Sequence, residues 1–255
     1  MFDVTGKVAV VTGSATGIGR ATALMLARLG CGVVINYTQS EVEAQQTADE
    51  ARSLGVPVLV HRCDISSDAA VREMMKRTAE ELGRLDVLVC NAGTAVRVPH
   101  EDLEGLTEEI WDRILAVNVK GTFFCIRAAA PYMKAQGRGA IAITGAGAGV
   151  FGGGSSIAYG ASKGALLTMT MSLARVLAPE IRINIASPSG VDTRWMPRLI
   201  GEAAWEQSRA NTAQTGALRR ITTAEDVAEV LVGLITNADM VTGQNVNIGG
   251  THFGR

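Results

Sequence analysis

The 255-residue sequence lacks an excess of charge of either sign. It carries 24 Lys and Arg residues against 25 Asp and Glu residues, a formal net charge of −1, and its basic residues are interleaved with acids. Proteins that bind nucleic acid or an anionic membrane surface usually present a basic stripe or a polybasic segment. We therefore expect no nucleic-acid partner and no membrane partner, and we look for a small-molecule ligand.

The sequence also lacks paired cysteines. Cys31, Cys63, Cys90 and Cys125 stand far apart, no two of them form a CxxC pair, and no His lies at metal-ligand spacing from them. This spacing matches none of the common zinc motifs. We expect no metal site, and we predict four buried free thiols because an unpaired cysteine behaves as a small hydrophobic residue.

No targeting signal is visible in the sequence. The first residues, MFDVTGKVAVVTG, contain no charged leader followed by an apolar segment and a small-residue cleavage site. No uninterrupted apolar run approaches the length of a membrane span. The expected location is the reducing cytoplasm.

Hydrophobic side chains make up 47% of the chain and recur in short β-branched runs separated by longer helical stretches. The runs predict strands at residues 7–12, 32–37, 56–62, 85–90, 140–144, 182–187 and 245–248. The stretches between them predict helices at residues 17–29, 40–54, 67–82, 107–136 with a break near Gly121, 159–178, and from Thr223 onward. This alternation is typical of βαβ units. We predict an α/β fold, a doubly wound parallel sheet of about seven strands with helices on both faces.

No repeat or low-complexity linker interrupts this alternation, so we expect residues 1–255 to form a single domain. The exception is the segment 191–216, which holds Trp195 and Trp205 without a strand pattern. We interpret it as an inserted pair of short helices that forms a substrate lid. Two capping signals mark helix starts elsewhere: Ser40 with Glu43, and Asp226 after Thr223.

A glycine-rich turn follows the first predicted strand and opens the first helix. Residues Thr12 to Gly19 read TGSATGIG, with the spacing G-x-x-x-G-x-G. Glycines let the backbone turn sharply and approach a pyrophosphate, while the helix N-terminus offers unpaired N–H groups. The turn resembles the TGxxxGIG signature of the short-chain dehydrogenase/reductase family.

Further segments resemble the same family in the expected order along the chain. They are the NAG turn at Asn91-Ala92-Gly93, the helix asparagine Asn118, the YxxxK pair Tyr159 and Lys163, and an N-x-x-x-P-G-x-x-x-T segment represented by Asn184, Pro188 and Thr193. The resemblance covers essentially the whole chain. It implies a Rossmann-type dinucleotide-binding catalytic domain and an NAD(P)-dependent oxidoreductase.

Tyr159 and Lys163 are four residues apart, so on a helix both side chains project from the same face. A phenol can give a proton to a carbonyl oxygen or remove one from an alcohol, but its pKa of about 10 is high for a base near neutrality. We expect the ammonium of Lys163 to lower the pKa of Tyr159. The resemblance implies that Tyr159 is the acid/base, that Lys163 also holds the nicotinamide ribose, and that Asn118 supports a water-linked proton path.

The resemblance and the glycine turn together imply a set of cofactor-binding residues. In this set Asn91 and Gly93 border the nicotinamide and Asp64 with Ile65 borders the adenine, although Asp64 also fits as a residue that caps the next helix. The full set is Gly13, Ser14, Thr16, Gly17, Ile18, Gly19, Asn36, Tyr37, Thr38, Asp64, Ile65, Asn91, Ala92, Gly93, Tyr159, Lys163, Pro188, Val191 and Thr193.

The pattern of the family breaks at Ala146. The family carries a serine thirteen residues before the tyrosine, whose hydroxyl donates to the substrate oxygen, and an alanine methyl donates nothing. Three explanations stay open: an engineered serine-to-alanine variant, recruitment of Thr144, Ser155 or Ser156, or a drift towards another role. A smaller departure is Ser189, where the family has glycine.

The second predicted strand ends Asn36-Tyr37-Thr38, without the acidic residue that binds the adenine ribose in NAD-specific sheets. This absence favours NADP(H), with Ser14, Asn36 and Thr38 as donors to the 2′-phosphate. No Arg or Lys occupies position 16 or 38, where NADP-binding members of the family often carry one. We therefore favour NADP(H) and keep NAD(H) as the alternative.

The substrate is expected beside Tyr159, against an apolar wall that includes Ala146, Val150, Phe151 and Trp195, unless these residues only pack the lid onto the body. The helices at 111–133 and 159–177 are apolar on more than one face, which together with the resemblance implies a homodimer or homotetramer.

Three functions fit the sequence. The first is an oxidoreductase, a carbonyl reductase or alcohol dehydrogenase, that moves a hydride between the nicotinamide and a carbonyl or alcohol. The second, suggested by Ala146, is a cofactor-binding protein with weak or no redox activity. The third is a lyase or isomerase that uses the same pocket without net redox change.

Overall fold

The structure is a computed structural model, and it describes residues 1–249. Seven parallel strands form the main sheet in the order β3-β2-β1-β4-β5-β6-β9, and β7 pairs with β8 in a separate two-stranded sheet within this range. The strands are β1 Val8–Val11, β2 Gly32–Tyr37, β3 Val58–Arg62, β4 Val87–Cys90, β5 Gly139–Thr144, β6 Ile181–Pro188, β7 Val191–Asp192, β8 Thr222–Thr223 and β9 Asn245–Ile248.

Ten α-helices connect these strands in the described part of the chain. They are α1 Gly17–Arg28, α2 Glu41–Ser53, α3 Asp68–Leu82, α4 Glu108–Leu115, α5 Thr122–Ala135, α6 Gly147–Phe151, α7 Ile157–Leu177, α8 Trp195–Ile200, α9 Glu202–Thr215 and α10 Ala224–Thr236. One turn of π-helix, Ala116–Gly121, joins α4 to α5 at the place where the sequence predicted a break.

Helices cover both faces of the sheet, and this confirms the predicted doubly wound fold. One hydrophobic core joins the strands to α1, α2 and α10, and a second core joins them to α3, α5 and α7. Every residue of β1, β4 and β5 is buried, as expected for strands that have no solvent-facing side. The four cysteines lie buried and unpaired in these cores, as predicted.

The stretch Glu108–Ala135 is long and apolar enough to cross a membrane by length and composition, with a mean hydropathy of 1.2. About half of its most apolar part is buried inside the protein, and α4 and α5 contact α7 and α3. The core helix of a globular protein has the same properties, so this stretch carries no argument for a membrane span.

Gly121 lets this helical stretch pass close to the loop after β3. A Cβ atom at this position would lie 2.9 Å from the carbonyl oxygen of Ile65, which no side chain tolerates. The close approach buries Ile65, which is only 4% exposed. The glycine is therefore required by packing and not only by the irregular helix.

Two of the local predictions need correction. The sequence predicts no helix between the strand at 140–144 and the helix at 159–178, but Gly147–Phe151 forms the short helix α6. The predicted capping box of α2 is also wrong, because the side chains of Ser40 and Glu43 both bind Arg194, the residue that precedes α8. The box at α10 is present: Thr223 Oγ1 accepts from Asp226 N at 3.2 Å, and Asp226 Oδ2 accepts from Thr223 N at 2.8 Å.

Candidate active site

A cleft of about 540 Å³ opens at the carboxyl ends of the strands. The strand order reverses between β1 and β4, and doubly wound sheets bind their ligands at such a switch point. The cleft brings together most of the residues expected from the sequence: Gly13, Thr16, Gly17, Ile18, Asn36, Tyr37, Thr38, Asn91, Ala92, Gly93, Ala146, Tyr159, Lys163, Pro188, Val191, Thr193 and Trp195.

The glycine turn packs against the NAG turn at the centre of the cleft. Gly19 lies so close to its neighbours that a Cβ atom there would be 2.4 Å from the oxygen of Gly13 and 2.6 Å from Nδ2 of Asn91. Thr16, the N-cap residue of α1, makes no side-chain capping bond. The first N–H groups of α1 therefore border the cleft without a side-chain acceptor, as an anion site requires.

Thr12 and Asn91 join the two turns by hydrogen bonds. Thr12 Oγ1 accepts from the backbone N of Asn91 at 2.9 Å and of Ala92 at 3.0 Å. Asn91 Nδ2 donates to the carbonyl oxygens of Thr12 and Gly13 at 3.1 and 3.2 Å. These bonds fix the distance between the two turns before any ligand binds.

The expected phosphate donors Ser14 and Asn36 serve the protein backbone instead. Ser14 is fully buried and donates to the oxygen of Val11 at 2.7 Å. Asn36 Oδ1 accepts from Gly13 N at 3.0 Å, and its Nδ2 donates to two carbonyl oxygens at the end of β3. The expectation that Ser14 and Asn36 donate to a 2′-phosphate is therefore wrong in this structure, because both side chains are already bonded.

Asp64 and Ile65 do not line the cleft. Asp64 Oδ1 accepts from the N and Oγ of Ser66 at 2.9 and 2.8 Å, so it stabilises the turn before α3. The alternative that Asp64 caps the next helix is also wrong, because the N-cap of α3 is Ser67, whose Oγ accepts from Ala70 N at 3.4 Å.

Tyr159 and Lys163 lie one turn apart on α7, and both border the cleft. Lys163 Nζ donates to the carbonyl oxygen of Thr144 at 2.9 Å and lies 5.9 Å from the centre of the Tyr159 ring. Asn118 lies behind them on the π-helix, where its Nδ2 donates to Thr94 O and Ser162 Oγ, both at 3.0 Å. The three side chains of the predicted catalytic set are thus neighbours.

Burial controls the protonation of this pair. It raises the pKa of Tyr159 to about 12 and lowers the pKa of Lys163 to about 8. The expected lowering of the Tyr159 pKa by Lys163 is wrong for this structure, because the ammonium binds Thr144 O and loss of water from around the phenol dominates.

The sequence model of the short chain dehydrogenase family matches residues 7–202. The chain belongs to this family. A curated relative, the cis-4-hydroxycyclohexanecarboxylate dehydrogenase of Sinomonas cyclohexanicum, is 36% identical over 91% of this chain and 90% of its own length.

Two solved structures that resemble this chain contain different nicotinamide cofactors. A short chain dehydrogenase from Burkholderia cenocepacia in complex with NADP is 34% identical, with a TM-score of 0.86 over 97% of this chain and 98% of its own. The NAD⁺-bound xylitol dehydrogenase is 29% identical, with a TM-score of 0.84 over 97% and 99% of the two chains. The chain is therefore an oxidoreductase by family, and its relatives use both nicotinamides.

The hydroxyls that were considered as substitutes for the family serine all lie near Ala146 in sequence. Thr144 lines the cleft, but its Oγ1 donates to Asn91 Oδ1 at 3.2 Å. Ser156 is the N-cap of α7 and accepts from Tyr159 N at 3.2 Å. Ser155 Oγ is buried without a hydrogen-bond partner in the described residues, and it does not line the cleft. None of the three side chains replaces a serine at position 146.

The expected apolar wall is present only in part. Trp195, Met196 and Leu199 line the cleft from the segment that was interpreted as a lid. Val150 and Phe151 do not, because α6 coils this part of the chain and leaves Phe151 59% exposed. The prediction that Val150 and Phe151 belong to the substrate site is therefore wrong.

The structure adds cleft residues that the sequence reasoning missed, among them Ser40, Thr94, Arg194 and Arg198. The two arginines matter most, since the search for phosphate-binding cations had considered only positions 16 and 38. The single local signal was that Arg194 directly follows Thr193, an expected cofactor contact. Within residues 1–249, no group of three or more His, Cys, Asp or Glu side chains is placed to hold a metal.

We predict that Gly19→Ala abolishes or weakens dinucleotide binding at least ten-fold, because its Cβ would push the glycine turn away from Asn91. Isothermal titration calorimetry with NADP⁺ and NAD⁺ measures this loss. Gly233→Ala is the matched control: Gly233 lies in α10, has no atom within 4 Å of the added Cβ, and gains helix propensity. Unchanged binding in Gly19→Ala would contradict the assigned role of the turn.

Proposed function

We propose that the protein transfers a hydride between NADP(H) and a carbonyl or secondary alcohol, with Tyr159 as the acid/base. The observation that carries the proposal is that Tyr159 and Lys163 line the same cleft as the glycine turn, with Asn118 buried behind them and bonded to Ser162 of their helix. NAD(H) is the alternative cofactor.

The residues present fit a dinucleotide. The uncapped N–H groups at Thr16 to Ile18 suit a pyrophosphate, and the absence of an acid at Tyr37 and Thr38 leaves room for a 2′-phosphate. The NAG turn and Thr193 pack against the glycine turn, and Val191 and Tyr159 border the same cleft. When bound, the nicotinamide supplies or accepts the hydride.

The side chains of Tyr159 and Lys163 carry out the proton transfer that accompanies the hydride transfer. Because the pKa of Tyr159 is raised to about 12, the phenol is protonated at neutral pH and can donate to a carbonyl oxygen. The charged form of Lys163 then stabilises the phenolate left behind, and because its pKa is about 8 it can pass a proton on to restore the phenol and regain one from solvent along the path that Asn118 supports. Lys163 also holds the strand end at Thr144 in place.

Because Ala146 replaces the family's serine, one hydrogen-bond donor to the substrate oxygen is missing. Tyr159 is then the remaining side-chain donor to that oxygen in the transition state. Losing one donor of this kind typically costs on the order of 10² to 10³ in rate. A slow oxidoreductase is the consequence. The second candidate function, a cofactor-binding protein with weak or no redox activity, rests on the same residue.

The substrate wall formed by Trp195, Met196 and Leu199 favours an apolar carbonyl or alcohol. The relative from Sinomonas is named for a cyclic secondary alcohol. Cyclic ketones and alcohols, such as cyclohexanone and cyclohexanol derivatives, are therefore the first substrates to test.

A second copy of the chain is proposed as a partner across α5 and α7. Phe123 on α5 is 36% exposed, while Met171 and Val176 on α7 are 50% and 65% exposed. Exposed apolar surface of this kind on helices usually belongs to an interface. Light scattering should give the mass of a dimer or tetramer, and a monomer at all concentrations tested would contradict the proposal.

We predict opposite pH dependences for the two directions of the reaction. Reduction needs the protonated phenol and the charged Lys163, so its rate should be flat below about pH 8 and fall above it, while oxidation, which needs the phenolate, should rise with pH. Tyr159→Phe should lose roughly 10²- to 10⁴-fold in rate in both directions and retain cofactor binding.

The measurements are pH–rate profiles with steady-state turnover, and calorimetry for the cofactor. Tyr132→Phe, a change of the same kind on α5 away from the cleft, is the control. Wild-type turnover in Tyr159→Phe would rule out the phenol as the acid/base.

We also predict that Ala146→Ser raises the rate of carbonyl reduction about 10²-fold, because the new hydroxyl adds the missing donor. The assay is NADPH and NADH oxidation with a panel of aldehydes, ketones and diketones. Ala148→Ser, in α6 and outside the cleft lining, is the matched control. Equal and substantial rates in wild type and Ala146→Ser would mean that another group already holds the oxygen. Absence of turnover in both, with cofactor bound, would favour the second candidate function.

A further inference from the structure

Arg194 connects the lid segment to the far end of the cleft. It directly precedes α8, and its guanidinium donates to Ser40 Oγ at 2.9 Å and to a carboxylate oxygen of Glu43 at 2.5 Å. Ser40 and Glu43 belong to the start of α2, which follows β2. The guanidinium thus lies at the end of the cleft that Tyr37 and Thr38 border, away from the catalytic tyrosine.

The cations that line the cleft fall into two groups. Lys163 lies beneath Tyr159 and is bound to Thr144 O, whereas Arg194 and Arg198 are the cations that the described lid segment adds to the lining. Arg198 has no carboxylate within 4 Å in residues 1–249. The side chains at the end of β2 are uncharged, and that of Asn36 is fully engaged. Positive charge at this end therefore comes from the lid.

The carboxylate now bound to Arg194 can be replaced at small cost. Glu43 is 37% exposed and Arg194 is 36% exposed, so water can solvate the carboxylate when the guanidinium leaves it. Exposed ion pairs of this kind contribute little to the stability of a protein. A phosphate carries more charge than one carboxylate and matches the planar fork of a guanidinium.

We propose that Arg194, assisted by Arg198, binds the 2′-phosphate of NADP(H) and releases Glu43 when it does so. The proposal rests on the function proposed above and adds the residues that select the cofactor. In this proposal, the residues that distinguish NADP(H) from NAD(H) lie in the lid segment and not in the glycine turn or at the end of β2. Closure of the lid segment and choice of cofactor then depend on the same side chain, because the phosphate takes the place of Glu43 as the partner of Arg194.

The test measures binding without turnover. Dissociation constants for 2′,5′-ADP and 5′-AMP, which differ only by the 2′-phosphate, are determined by calorimetry on the full-length protein, and NADP⁺ and NAD⁺ are measured alongside. Arg194→Met should weaken 2′,5′-ADP about 10- to 100-fold and 5′-AMP less than about two-fold, since charge-assisted hydrogen bonds are lost only to the phosphate. Arg198→Met should show a smaller loss with the same selectivity.

Two further variants make the result specific. Glu43→Gln should tighten 2′,5′-ADP, because the competing charge is gone, and leave 5′-AMP unchanged. Arg194→Lys keeps the charge without the planar fork and should bind 2′,5′-ADP with intermediate strength, which also covers the case in which Arg194→Met does not fold. Arg209→Met is the matched control, because Arg209 lies on α9, pairs with Asp192 and Glu206, and does not line the cleft.

Several outcomes would overturn the proposal. Equal losses for 2′,5′-ADP and 5′-AMP would mean that the Arg194 to Glu43 pair only holds the lid in place. Unchanged binding of 2′,5′-ADP in Arg194→Met would leave the phosphate to other residues. If the unmodified protein binds neither nucleotide and neither dinucleotide, the proposed function itself falls. If NAD⁺ and 5′-AMP bind normally and substitution of the two arginines does not change 2′,5′-ADP binding, only the inference about Arg194 is wrong and the proposed function stands.

Discussion

The site depends on how the glycine turn is held in place. Its closest contacts are made at glycines, since a Cβ at Gly13 would lie 3.0 Å from Cα of Ala92 and one at Gly19 would meet Gly13 O. Its position comes from hydrogen bonds made by buried neighbours: Thr12, Asn36 and Asn91. Backbone polar groups that face a buried environment need such partners. The asparagines therefore act as scaffold, and the N–H groups at the start of α1 stay available to a ligand.

The catalytic end of the cleft follows a second constraint, the cost of burying charge. Lys163 is 5% exposed and Asn118 is 1% exposed, so each polar atom there must be bonded within the protein. Lys163 uses Thr144 O, and Asn118 uses Thr94 and Ser162. The same burial raises the pKa of Tyr159 and lowers the pKa of Lys163, so it favours the neutral form of each side chain.

The sequence predicted the sheet and the placement of Tyr159 and Lys163 on one helix, because both depend on local patterns. Continuous β-branched runs identify buried parallel strands, and the spacing of Tyr159 and Lys163 is a property of one helix. The missed features depend on contacts between distant segments. Arg194 and Glu43 are 151 residues apart, so no local pattern reveals that the arginine displaces a capping box and lines the cleft. Asn36 was assigned to a ligand because its bonds to β3 and to Gly13 appear only after the strands pair. The fold of α6 likewise shows how a glycine-rich run can adopt a helix and turn Phe151 away from the site.

The π-helix at Ala116–Gly121 makes the position of Asn118 depend on the exact number of residues between α4 and α5. A π-turn holds one residue more than an α-turn, and each residue of an α-helix turns by about 100°. Removing any single residue between α4 and α5 would restore a regular helix and rotate Asn118 away from Ser162 and Thr94 while the packing of α5 stayed in register. Substitutions on the surface of this helix can be absorbed one by one, but a single-codon deletion cannot. In this stretch, evolution can change the exposed residues more readily than the number of residues.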